Sequence, residues 1–117
     1  EYGNYQEGEN NYNKAILGYR NKKNNKDLAD SYYGRALCRG SLKKPDFKGA
    51  VKDLKLAVKE FPKNAEYRLA RAEYNFLRKK KKYIDESCED LEFIISKIKG
   101  PRVKRAQKLF DQYNCGI

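Results

Sequence analysis

The chain has 117 residues, with 27 Lys and Arg against 16 Asp and Glu, a net charge of +11 and no histidine. That length holds one small domain whose core needs five or six helices, and the charge favours acidic partners: nucleic acid, anionic lipid or an acidic protein face. Without histidine the commonest general base, the usual metal ligand and every Ser-His or Cys-His nucleophile pair are excluded, so an enzyme is not expected. No apolar run is long enough to span a bilayer and no signal-type segment is present, so the chain as given is expected to be soluble. It has no Met and starts at Glu1, which points to a fragment, a processed chain or the ordered part of a longer protein. Cys38, Cys88 and Cys115 form no C-x-x-C pair and have no histidine to complete a zinc shell, so no metal and no cofactor is expected.

Helical periodicity dominates, and no sustained polar/apolar alternation bounded by hairpin turns argues for strands, so the sequence predicts an all-α protein. Breaks at residues 21–25, at Lys43-Lys44-Pro45, at residues 61–64, at the lysine run Lys79 to Lys82 and at Gly100-Pro101 divide it into six helical segments. Short connections make successive helices antiparallel neighbours. The first segment carries Gly8, Tyr12 and Ala15 on one face, and the second begins its pattern at "YYGRALCRGSL". The third, after a capping Asp46, keeps Ala50, Leu54 and Ala57 on one face and stops at Pro62; two alanines on a buried stripe mean that another helix approaches closely. The fourth holds "RLARAEYNFL", and the fifth opens on the acidic residues Asp85, Glu86, Glu89, Asp90 and Glu92, which complement the dipole of a helix start better than they hold a cation. The sixth runs from Pro101 to Asn114, where Gly100 followed by Pro101 marks one helix end and the next beginning.

The segments repeat. Arg35-Ala36 returns 36 residues later as Arg71-Ala72, and Ala50, Asp53, Leu54 and Ala57 return 37 residues later as Ser87, Asp90, Leu91 and Ile94. Backwards, Gly8, Tyr12 and Ala15 stand 42 residues before Ala50, Leu54 and Ala57. With small residues at Ala36 and Ala72, at Gly8, Ala50 and Ser87, and at Ala15 and Ala57, bulky ones at Tyr12, Leu54 and Leu91, and Pro62 closing one copy, the chain resembles the tetratricopeptide repeat family, in wording closest to its bacterial, Bacteroidetes-like members. It departs from the family pattern in extra residues around Pro45, in the Asn/Lys linker that replaces the first proline and in Arg68 where the other copy has Tyr32. The resemblance implies a right-handed array of antiparallel helix hairpins within a single domain: a partial first repeat over 1–26, repeats over 27–63 and 64–99, and a capping helix over 100–117.

The repeat also sorts candidate residues. Arg35 with Asp53, and Arg71 with Asp90, occupy matching places on the two helices of a hairpin and are expected to be structural ion pairs, the alternative being arginines that line a groove for a carboxylate. The family's carboxylate clamp is not reproduced at the positions taken as groove-facing, Tyr33, Gly34, Leu37, Leu69, Ala70 and Glu73. Tyr33, Leu37, Leu69, Tyr74 and Phe76 are instead the expected partner-binding residues, with membership of the hairpin core as their alternative. Basic clusters at 21–26, at Arg78, Lys79, Lys80, Lys81 and Lys82, and at 97–105 including Lys104 and Arg105, form an expected basic patch beside them. Cys88 and Cys115 fall at the same end of the last helix pair, either bridged, which implies a periplasmic or secreted protein, or buried as free thiols in a cytoplasmic one; Cys38 is expected to pack as a small hydrophobe. The expected function is a non-catalytic interaction scaffold or assembly subunit that docks an acidic protein or peptide on its concave face. The alternative is a nucleic-acid-binding helical repeat.

Overall fold

The computed structural model describes residues 2–22 and 24–116, and within it the side chains of all but Tyr2 and Lys22. Six helices run in order: α1 Tyr2–Lys22, α2 Asn25–Gly40, α3 Phe47–Glu60, α4 Ala65–Leu77, α5 Lys81–Lys97 and α6 Pro101–Gln112, with no strand among the described residues. Lys23, within the first expected break, lies outside the described residues. The helices group into two compact units, Glu1–Pro62 and Lys63–Ile117, each of three helices.

Side-chain caps set several of the helix starts. Asn24 accepts from the Asp27 N–H at 3.1 Å to open α2, Asp46 accepts from the Gly49 N–H at 2.8 Å to open α3, and Asn64 accepts from the Tyr67 N–H at 2.9 Å to open α4. The N-cap of α5 is Lys80, which supplies no such bond. That start falls inside the lysine run: Lys79 and Lys80 connect α4 to α5, whereas Lys81 and Lys82 are already helical, so the expectation of one four-residue loop is corrected. Its turn is made by Lys79 at φ 60°, a left-handed residue just past the end of α4.

In the first unit α2 packs between α1 and α3. The contact with α1 depends on two glycines, since a Cβ at Gly34 would run into the Tyr12 ring and one at Gly8 would stand 2.8 Å from Cys38 Sγ. On the other side Ala36, Ala50, Leu54 and Ala57 have no exposed surface. The alanines of α3 therefore do bury completely, as a close helix neighbour requires.

The second unit carries a cluster of Leu69, Ala72, Phe76, Leu91, Ile94, Ala106, Leu109 and Cys115 contributed by α4, α5, α6 and the turn after α6. Helix α6 closes it with Ala106 and Leu109. It ends two residues short of the expected Asn114 because Asn114 adopts φ 55°. The Cys115 N–H then donates to Phe110 O at 2.9 Å and the Asn114 N–H to Asp111 O at 3.2 Å, a Schellman turn that reverses the chain at the helix end. The reversal brings Cys115 to Cys88, midway along α5, with Cα atoms 5.5 Å apart and the sulfurs bonded.

Candidate interaction site

Each unit is centred on one buried carboxylate held by arginines. Asp53 of α3 receives Arg35 side-on, through Nε at 2.9 Å and Nη2 at 2.6 Å, and Arg39 through Nη1 at 3.1 Å. Arg35 also donates to Asn13 at 3.0 Å and Arg39 to Glu9 at 2.7 Å, so the network ties α1, α2 and α3 together. Asp90 of α5 receives the same fork from Arg71, through Nε at 2.7 Å and Nη2 at 2.6 Å, with Arg68 Nη1 at 3.0 Å. The bidentate geometry suits a planar guanidinium and satisfies both carboxylate oxygens out of water. Desolvation works to lower the Arg39 pKa, but the bond to Glu9 and the charges of Asp53, Glu9 and Asp46 outweigh it and raise it; at Arg71 the bond it donates to Asp90 leads and also raises it. These arginines are fixed cations, already spent on carboxylates inside the fold.

The second carboxylate's surroundings differ in one respect. Asn75 stands one turn along α4 from Arg71 and is buried; its Oδ1 accepts a long 3.4 Å bond from Arg78, while its Nδ2 has no hydrogen-bond partner among the described residues. Ser87, in the place of Ala50, donates its hydroxyl to Ala72 O at 2.7 Å and so fills a small-residue position without leaving a polar group unpaired.

Of the five expected partner-binding residues, Tyr33 and Leu37 lie in the first unit, half-buried and exposed respectively. Leu69 and Phe76 are buried in the second unit's core, the alternative the sequence left open for them, and one face of Phe76 also lines the cleft beside α4. Helix α6 is the reason: it covers the face of α4 on which they stand, and Phe76 stacks on Tyr113 with ring centroids 3.7 Å apart. Tyr74 is half-buried on α4. Gly34, taken as groove-facing, lies under Tyr12.

What α6 leaves open beside α4 is a cleft of about 160 Å³ lined by Glu73, Phe76, Leu77, Arg105, Leu109, Gln112 and Tyr113. Its floor is apolar, with Leu77 46% and Tyr113 37% exposed. Its rim carries the surface pair Arg105–Glu73 at 3.6 Å. A second surface pair, Arg102–Glu66 at 3.0 Å, lies nearer the start of both helices.

The expected basic patch does not form one uniform surface. Arg78 lies flat on the Tyr83 ring at 3.4 Å, Arg105 is engaged with Glu73, and Lys81 pairs loosely with Asp85 at 3.7 Å. Lys79, Lys80, Lys82 and Lys104 are exposed. Of the acidic cluster, Asp90 is turned inward to its arginines, and among the described residues no group of three or more His, Cys, Asp or Glu is placed to hold a metal ion. Cys38 is half-buried, and burial, reinforced by the Glu9 charge, pushes its thiol up from the ordinary range, so it stays protonated at neutral pH. No described helix is long and apolar enough to cross a membrane.

The sequence pattern does not mark Glu9, Asn13, Arg39 or Arg68 as members of these networks. Nor do the expected basic clusters include a lysine row on α3, at 48, 52, 55 and 59, whose 4-3-4 spacing is the signal that marks one helix face. Comparison with protein-family models, with curated proteins and with solved structures finds no match to this chain.

Proposed function

We propose that this chain is a non-catalytic docking module of tetratricopeptide type, which binds an acidic protein segment by taking one apolar side chain into the cleft between α4 and α6. The cleft carries this reading: an apolar floor of Phe76, Leu77, Leu109 and Tyr113 beneath a rim where Arg105 and Glu73 pair at the surface. Its volume of about 160 Å³ is close to that of the engineered cavity that accepts benzene. The exposed Lys104 and Lys108 beside Arg105 on α6 make an acidic flank the complementary one. Support for the repeat type comes from the two Arg–Asp forks, which hold the same places 36 and 37 residues apart, and from the small residues buried where paired helices meet. The Cys88–Cys115 bridge supports an oxidising compartment such as a periplasm or the cell exterior.

Selection of a random peptide library on the wild-type protein, followed by counter-screening on Leu77→Asp, tests the proposal. Leu77 is exposed, so its replacement leaves the core intact. Enriched peptides are expected to share a leucine or aromatic anchor beside Asp or Glu and to lose at least tenfold in affinity for the variant. Peptides that bind both proteins equally would refute the cleft as the site.

A further inference from the structure

The lysines of α3 form a surface of a different kind from the cleft. Lys48, Lys52, Lys55 and Lys59 are all exposed, and none of them makes an ion pair among the described residues. At about 100° per residue they project within an arc of about 60° and form a row about 16 Å long. The arc lies opposite Ala50, Leu54 and Ala57, which are fully buried. No acidic residue shares it: Asp53 is turned inward to Arg35, and Glu60 sits about 100° away around the helix.

Such a row is unfavourable in the free protein. Like charges three and four residues apart repel, and Lys48 in the first turn opposes the helix dipole. An anionic partner relieves both. The division of labour among cations sharpens the point: arginines make the buried ion pairs, while every described lysine is exposed.

The composition of the face decides among anions. Protein interfaces enrich arginine and aromatic residues and deplete lysine, and this face has lysine alone. A membrane-surface helix presents large apolar side chains to the bilayer, but on α3 Val51, Leu54 and Val58 are buried and Phe47 is half-buried on another side of the helix, leaving only Leu56 exposed at the edge of the row. Single-stranded nucleic acid needs aromatic platforms, and base reading needs Arg, Asn or Gln; the row has none of these. A line of hydrated point charges suits the phosphates of a duplex, where about five on one strand fall along 16 Å of axis at 3.4 Å each. We propose that the α3 lysine row binds the phosphate backbone of double-stranded DNA without regard to sequence. The proposal stands on α3 alone and does not rest on the cleft.

The test is binding of a 20-base-pair DNA duplex by the whole chain, followed by fluorescence anisotropy from 50 to 200 mM salt. The variant Lys48→Gln, Lys52→Gln, Lys55→Gln, Lys59→Gln removes the row. A control with Lys79→Gln, Lys80→Gln, Lys81→Gln and Lys82→Gln removes the same charge elsewhere, and circular dichroism checks the fold of both. Four phosphate contacts predict a log–log salt slope steeper by about 3.6 in wild type than in the row variant, equal to about 150-fold in affinity across that salt range. The control is expected to change the slope by less than about 1. Equal losses in both variants would reduce the effect to net charge and overturn the proposal, as would failure of the wild type to bind at 50 mM salt. It would also fall if polyglutamate, standing for an acidic protein, or phosphatidylserine vesicles showed the same dependence on the row at matched charge.

Discussion

A carboxylate as buried as Asp53, 1% exposed, loses hydration that one cation does not repay. Here two arginines meet its oxygens with three N–H donors, and one further donor of each arginine goes to Asn13 or Glu9, so both carboxylate oxygens are satisfied. Asp53→Asn keeps the shape but leaves two half-buried guanidiniums without their counter-charge, and is expected to cost about 3 kcal/mol in urea unfolding. A loss below about 1 kcal/mol would show that the pair is as weak as a surface bridge. The forks were legible in the sequence because Arg35 returns as Arg71 and Asp53 as Asp90 at nearly the same spacing, 36 and 37 residues. The second arginine of each fork was not. Arg39 follows Arg35 by one turn where the other copy has Asn75, and Arg68 precedes Arg71 by one turn where the first copy has Tyr32, so comparing the copies hides both.

At the scale of elements, small residues set how closely helices meet. Ala57 has no exposed surface, and Ala57→Phe is expected to overpack α3 against its neighbours and lower stability by about 3 kcal/mol, seen as a fall in melting temperature. An unchanged melting temperature would mean that the buried face of α3 has been misassigned. The bridge between α5 and α6 spans 27 residues of sequence; by chain entropy its reduction, or Cys88→Ser with Cys115→Ser, should destabilise the second unit by about 3.5 kcal/mol. Hydrogen exchange should accelerate in α4 to α6, and exchange in α1 to α3 that accelerated equally would contradict this. Six helices, most of their boundaries and the bridge as one of two alternatives were readable from periodicity and punctuation. The fate of Leu69 and Phe76 was not, because an apolar residue on α4 serves a groove or a core equally well until the register of α6 is known.

Across the whole molecule the +11 charge is distributed by residue type. Arginines close the two buried networks, join surface pairs with Glu66 and Glu73 and cover Tyr83, while lysines remain in solvent, four of them aligned on α3. Net charge was therefore visible in the composition, but its useful part was not: only the fold distinguishes cations held inside from those available to a partner. The most direct measurement is affinity capture from the native source with wild type and Leu77→Asp, each with and without nuclease, read by mass spectrometry. Proteins that survive nuclease on the wild type and are lost from the variant are expected. If every captured protein either disappears with nuclease or binds Leu77→Asp as well as wild type, the docking function proposed for the cleft is contradicted.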